Sequence, residues 1–186
     1  YEVYQNTPEK QDVRMDDGGF SPTLGLVLRP LEGAQIYVNY SSTLRAPALT
    51  ETISAFNSFV ANKQIQPERS KNWELGANLI RNDLLAQGDR AQFKVGYFHW
   101  VVDDYIARNV RTEPTIALNI ENIHQARFEG LEFSSRYELG GLTADFAANY
   151  YLDIQYCRTA DACGQKSLYG DYATNHVPPE YSLELG

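Results

Sequence analysis

Hydrophobic and polar residues alternate along most of this chain, and a period of two predicts strands rather than helices. Leu24, Leu26 and Leu28 share one parity. After the turn near 30–34, Ile36, Val38 and Tyr40 share a face opposite Gln35, Asn39 and Ser41. Trp73, Leu75, Ala77 and Leu79 interleave with Asn72, Glu74, Gly76 and Asn78. Phe93, Val95, Tyr97 and Val101 form a fourth run; Leu131, Phe133 and Tyr137, opposite Gly130, Glu132, Ser134 and Arg136, form a fifth. From 142 onward, Leu142, Ala144, Phe146, Ala148, Tyr150, Leu152 and Ile154 fall on one side, with Thr143, Asp145, Asn149 and Asp153 on the other. Tyr181, Leu183 and Leu185 open a last strand. The pattern predicts about seven strands and no helix of convincing length.

The connections alternate in length. Those near 30–34, 83–90 and 138–141 are short and rich in Gly, Asp and Asn, whereas those near 43–69, 108–116 and 156–178 are long and polar. One end of the sheet therefore carries tight turns and the other extended loops. The alternating segments run about ten residues or more, which suits a tilted strand crossing a bilayer, for which about 9 to 11 are needed. Strands of a soluble β-sandwich are nearer 5 to 6. Outer-membrane barrels sort short turns inside and long loops outside. The expected fold class is all-β: an antiparallel transmembrane β-barrel segment of about seven strands, its polar face toward the lumen. Glu74 and Glu132 are lumen-facing on that parity, where a charge avoids lipid.

Aromatic placement supports the same picture. Tyr40, Trp73, Tyr97, Trp100 and Tyr150 fall near the outer strand ends and Tyr137 near the inner end, as two interfacial girdles require. One stretch fits less well: in 95–105 both parities are apolar and His99 shares a face with Val95 and Val101. A bulge, or a position above the lipid, would account for it. Seven strands in an open sheet leave edges unpaired in hydrocarbon, so the complete barrel is expected to have more strands than these, the chain being a fragment cut at both ends.

Composition narrows the function classes. With 24 Asp+Glu against 16 Lys+Arg, the net charge is -8, the opposite of the basic face that binds nucleic acid. No apolar run approaches a membrane-spanning helix. Cys157 and Cys163 lie in a loop-like segment without histidines for zinc, which favours a local disulfide over two separate thiols, and an oxidising compartment. Neither a nucleophile elbow nor a phosphate-cradling loop occurs, and Asp16–Asp17 and Asp103–Asp104 lack the ligand spacing of a calcium loop. An enzyme is therefore not expected. The alternatives are a barrel enzyme using His99, His124 or His176 at the rim, or a soluble β-sandwich adhesion domain.

Three motifs carry a family resemblance. The segment from Tyr37 through Arg45-Ala46-Pro47 to Thr52 resembles the Arg-Ala-Pro segment of TonB-dependent outer-membrane receptors. The run Pro67-Glu68-Arg69-Ser70 to Gly76 resembles their Pro-Glu-x-Ser…Glu-x-Gly segment, and Asn122, Ala126, Gly130 and Glu132 match a later Asn-x-x-x-Ala-x-x-x-Gly-x-Glu strand. The resemblance spans the chain from about residue 20. It implies residues 1–186 to be part of a 22-stranded barrel, with the plug domain and closing strands outside this chain, in the outer membrane of a Gram-negative bacterium.

Within the family the segments are similar to haem receptors, the haemophore-dependent branch above all, which implies uptake of an iron-containing ligand, haem or haemophore-bound haem, with a siderophore as the alternative cargo. Implied partners are the TonB complex through the plug, outer-membrane lipid, and a haemophore or haem protein. Haem would be cargo and not a permanent cofactor. Between Arg45 and Pro67, however, no histidine, tyrosine or cysteine occurs, so iron coordination from this loop is not expected. Arg45, Pro47, Glu51, Pro67, Glu68 and Arg69 flank the feet of the loop and are expected to tether it. His124 and His176 are the candidate ligand contacts, and no metal ligand set is assigned.

Overall fold

A computed structural model describes residues 18–48, 51, 59–60, 64–111, 117–165 and 178–186. In chain order the strands are β1 (Thr23–Leu31), β2 (Ala34–Arg45), β3 (Phe59–Val60), β4 (Glu68–Asn82), β5 (Asp89–Asp103) and β6 (Ile106–Arg111). These are followed by β7 (Ala117–Asn122), β8 (Gln125–Leu139), β9 (Leu142–Thr159), β10 (Ala162–Gln165) and β11 (Tyr181–Leu185). The main sheet runs β1-β2-β4-β5-β8-β9, all antiparallel, and β9 continues the sheet twice, pairing β11 through 146–150 and β10 through 155–159. A second small sheet, β3-β7-β6, belongs to the long-loop end.

Register shows what the alternation means. Leu26, Val38, Leu75, Tyr97, Leu131, Tyr150 and Tyr181 form one row across seven strands. The next row on that face is Leu28, Ile36, Ala77, Val95, Phe133, Ala148 and Leu183. Leu24, Leu75 and Leu183 are more than half exposed. In water such a continuous apolar band would drive aggregation; for a barrel wall it is the surface lipid requires. The opposite face carries Tyr37, Gly76, Gly96, Glu132 and Asn149, and below them Gln35, Asn78, Lys94, Ser134 and Glu184. Thus Glu74 and Glu132 share the polar face; Glu74 accepts from Asn72 Nδ2 at 2.8 Å and Glu132 lies 4.0 Å from Lys94 Nζ.

The short turns close over 32–33, 83–88 and 140–141. The longest is organised by Asp89, whose carboxylate accepts the backbone N–H groups of Leu84, Leu85 and Ala86 and the hydroxyl of Tyr137. Burial acts to raise its pKa, but the three amides and the phenol outweigh burial and hold the carboxyl at about 2.

At the other end the chain departs from the expected layout. Strands β4, β5 and β8 have 15 residues each; at roughly 3.3 Å per residue that is about 50 Å of strand, or about 35–40 Å of height at a tilt of about 40°, beyond an apolar band about 25 Å tall. They overshoot the lipid. β2 continues through Arg45 and β4 begins at Glu68, so Thr43, Leu44 and Arg69 are strand residues, not loop residues. Of the segment expected as a plain loop over 108–116, residues 108–111 belong to β6, and 112–116 lie outside the described residues. The region from 156 begins as strand: β9 reaches Thr159, and a tight turn leads to β10 with Cys163 facing Cys157 in register. Those two cysteines form a disulfide.

Three side-chain placements also differ from expectation, those of Asp153, Ile154 and Trp100. β9 carries a register shift opposite Glu129/Gly130, leaving Leu152 unpaired. That bulge reverses the parity, so Ile154 pairs Phe128 on the inner face and Asp153 pairs Glu129 on the outer face. β5, by contrast, pairs both neighbours without a shift. His99 therefore stays on the outer face, level with Trp73, Glu129 and Asp153, above the apolar rows. On the same grounds Trp100 leaves the expected outer girdle: it pairs Asn72 and Phe128 and faces inward.

Candidate functional site at the long-loop end

The inner face changes character near the long-loop end. Below it is polar; above, it carries Phe98 and Tyr151, then Trp100, Phe128 and Ile154, then Val102, Ala126 and Tyr156. Ala126, Phe128, Ile154 and Tyr156 are buried together with Ala107 and Ile123, and Phe98, Tyr105 and Tyr151 pack against them. The rings meet mostly edge to face: Phe98–Tyr151 at 5.5 Å, Phe128–Tyr156 at 5.9 Å and Tyr105–Tyr156 at 5.7 Å between centroids. Gly130 makes room for this, since a Cβ there would stand 2.6 Å from Phe98 Cζ. The β6–β7 hairpin is thus folded over the inner face, as a cap on the barrel wall.

Asp104 turns the chain into that hairpin. It holds a φ of 54°, a left-handed conformation that Asp tolerates better than most residues. Its backbone N–H donates to His124 O and its carbonyl accepts from Asn122 Nδ2 at 2.6 Å, joining the start and the end of the hairpin.

The residues that carry the three motifs converge at this place. Arg45 Nε bonds Glu68 Oε2, and its Nη1 lies 3.0 Å from Glu51 Oε2. Glu68 is buried and also accepts the Ile106 N–H at 2.6 Å. Asn122 accepts the Gln66 N–H at 2.7 Å and returns a hydrogen bond to Gln66 O at 2.9 Å. Ile65, Ile106 and Ile120 form a small buried cluster beside these bonds. One foot of the loop that follows β2 is therefore clamped to the β6–β7 hairpin by two polar anchors and an apolar contact.

Pro47 lies just beyond the strand exit, in the turn where Glu51 accepts the Ala48 N–H. Pro67 precedes β4, where its missing N–H costs the ladder nothing. Arg69 takes no part in the clamp; it faces the other side and donates to Phe20 O and Ser42 Oγ.

Charge and burial suit a permanent structure here. The hydrogen bond to Glu68 is the main cause holding Arg45 above its ordinary pKa against burial, so the guanidinium stays charged. Burial raises the phenols of Tyr105 and Tyr156 above their usual value, keeping both neutral donors. His124 is exposed in the bend between β7 and β8, with its N–H on Arg158 O; the inward position belongs to its neighbour Ile123. His99 Nδ1 is 3.6 Å from Glu129 Oε2, on the outer face. His176 lies outside the described residues. Among the described residues, no three His, Cys, Asp or Glu side chains converge on a metal position.

Sequence reasoning missed the aromatic cluster, the hairpin and the role of Asn122. Asn122 had a signal, being the first residue of the third motif. Trp100 and Tyr105 had none that distinguishes an inner-face ring from a girdle ring.

An antiparallel wall with an apolar band on one face, a polar inner face and a hairpin packed over its long-loop end defines a segment of a transmembrane β-barrel. A family model described as "TonB dependent receptor-like, beta-barrel" matches residues 1–183, and the chain belongs to that family, whose barrels span the Gram-negative outer membrane. It is 26% identical to a "Hemophilin receptor" of Acinetobacter baumannii over 172 residues, 92% of this chain and 16% of the relative. It is 29% identical to "Heme/hemopexin utilization protein C" of Haemophilus influenzae (strain 86-028NP), covering 77% of this chain and 23% of the relative. A solved structure, a double mutant of the Serratia marcescens hemophore receptor HasR in complex with its hemophore HasA and heme, superposes with a TM-score of 0.65 at 30% identity. That match covers 88% of this chain and 27% of the receptor. The chain thus spans a quarter or less of its curated relatives' length.

Proposed function

We propose that the complete receptor takes up haem, captured outside the cell either free or from a haem-carrying protein, and passes it through the outer membrane. The observation that carries this reading is that relatives whose names specify haem, hemopexin or a hemophore align over most of this chain. The TonB complex of the inner membrane would supply energy through a plug inside the barrel, as the family name implies. The protein acts as a transporter and haem is its cargo, so no resident cofactor is needed. The residues described here supply the wall and the capped mouth. Arg45, Pro47, Glu51, Pro67 and Glu68 hold one loop foot, Glu74 and Glu132 line the water-filled side, and His124 stands at the rim.

Titration of the purified complete receptor with haemin tests the cargo. A saturable Soret band of one haem per receptor, not competed by a ferric siderophore, is expected. Siderophore binding in the absence of haem binding would replace haem with the alternative cargo.

A further inference from the structure

At the long-loop end of the inner face, one aromatic ring is left partly uncovered by the hairpin. Phe128 and Tyr156 are buried under it, but Trp100 is 39% exposed. Its indole is nonetheless fixed: Nε1 donates to Ser70 Oγ at 2.6 Å and the ring centroid lies 5.0 Å from that of Phe128, interplanar angle 32°. A tryptophan whose polar atom is satisfied by the protein presents only its apolar face to whatever lies beyond. What lies beyond is a cavity of about 660 Å³ lined by Trp100, Val102, Tyr105, Ile106, Arg45 and Arg108, among others. That volume lies within the range of small-molecule sites, which are largely apolar with a few polar groups at the edge. The clamp of Arg45, Glu68 and the Ile106 N–H forms one wall of it.

Among the described residues, the lining holds no histidine, cysteine or methionine. Its phenol, Tyr105, packs edge to face on Tyr156 at 5.7 Å between centroids, and burial raises its pKa. Of the lining's carboxylates, Glu68 is held by Arg45 and the Ile106 N–H and Glu51 by Arg45 and the Ala48 N–H, so a metal in the ligand would meet donors already engaged, while a flat apolar surface would find a held indole.

We propose that this cavity seats the flat face of a porphyrin against Trp100 without bonding to its metal, a first resting place at the barrel mouth; this rests on the haem-uptake reading. Specificity at this step comes from stacking and shape, and iron ligation, where it occurs, belongs elsewhere in the receptor. The absence of histidine from the loop after Arg45 then has a reason: the mouth receives the macrocycle, not the iron.

The test uses the complete receptor and two probes, haemin and metal-free protoporphyrin IX, with fluorescence of the metal-free probe as the readout. Wild type is expected to bind both. Trp100→Ala is expected to lose at least tenfold in affinity for the metal-free porphyrin, whereas Trp100→Phe, which keeps a flat ring, stays within threefold. Should Trp100→Ala fail to assemble, Trp100→Leu, apolar but not planar, makes the same comparison. Unchanged affinity in Trp100→Ala and Trp100→Leu overturns this site and leaves haem uptake standing. So does a wild type that binds haemin but not the metal-free porphyrin. A wild type that binds neither porphyrin overturns both.

Discussion

Glu68 joins two segments of the long-loop end through one buried carboxylate, and Glu68→Ala should free the β6–β7 hairpin. The carboxylate takes two donors, Arg45 Nε and the buried N–H of Ile106. Removing one member of a fully buried ion pair costs about 3–5 kcal/mol, but the Arg45 side chain is 45% exposed and keeps Glu51. Its share therefore falls to about 1 kcal/mol. The Ile106 amide is left buried without an acceptor, at about 1–3 kcal/mol. Together the loss is about 2–4 kcal/mol, confined to the hairpin. Hydrogen exchange on the complete receptor should show the Ile106 amide exchanging about 30- to 1000-fold faster, tenfold per 1.4 kcal/mol, with the amides of β4 and β5 at membrane depth unchanged. Glu68→Gln keeps an oxygen for Ile106 and loses only the charge on Arg45, so its effect should be about tenfold or less. Exchange at Ile106 unaltered by Glu68→Ala, or equally fast in both variants, would refute the clamp.

Asn122→Ala removes three hydrogen bonds, two to Gln66 and one to Asp104 O; it should speed exchange of the Gln66 amide severalfold without altering barrel assembly, measured by hydrogen exchange. On the wall, Phe133→Arg places a cation on the lipid face in the Val95–Ala148 row, inside the Tyr97–Tyr150 girdle, and should cost about 2–4 kcal/mol of folding into vesicles, while Glu132→Arg, on the polar face, should cost far less; equal costs would contradict the assignment of faces. At the short-turn end, Asp89 has a folded pKa of about 2 against an unfolded value of 3.8. A lowered folded pKa stabilises the turn above the unfolded value, and that contribution disappears as pH falls from about 4 through 2. Protection of the Leu84–Ala86 amides should follow that window in wild type and lose its pH dependence in Asp89→Asn. Reducing Cys157–Cys163, which closes a loop of six positions, should loosen the β9–β10 tip by about 2 kcal/mol and leave the rest of the wall intact by hydrogen exchange.

Alternation was a sound guide wherever one face of a strand meets lipid and the other water, because each residue there is sorted by a large free-energy difference. That holds for Leu26 through Leu183, and the tight turns at Gly33 and Gly140 follow from the same regularity. Above the lipid the sorting weakens, since both faces meet either water or protein. His99 and Asp153 stand on the outer face there, and Trp100 and Ile154 on the inner one, so parity no longer signals environment. A single bulge at Leu152 is enough to reverse it. The motifs told more about class than about cargo for a related reason: Arg45, Glu68 and Asn122 bind one another and the backbone. The ring that points into open space, Trp100, belongs to no motif.

The account stands most directly on one measurement: growth of a Gram-negative host unable to synthesise haem, expressing the complete receptor and supplied with external haem. Growth that depends on the receptor and stops when the TonB complex is deleted is the predicted result. A receptor that is assembled in the outer membrane yet supports no growth on haem, under conditions where a known haem receptor does, would contradict it.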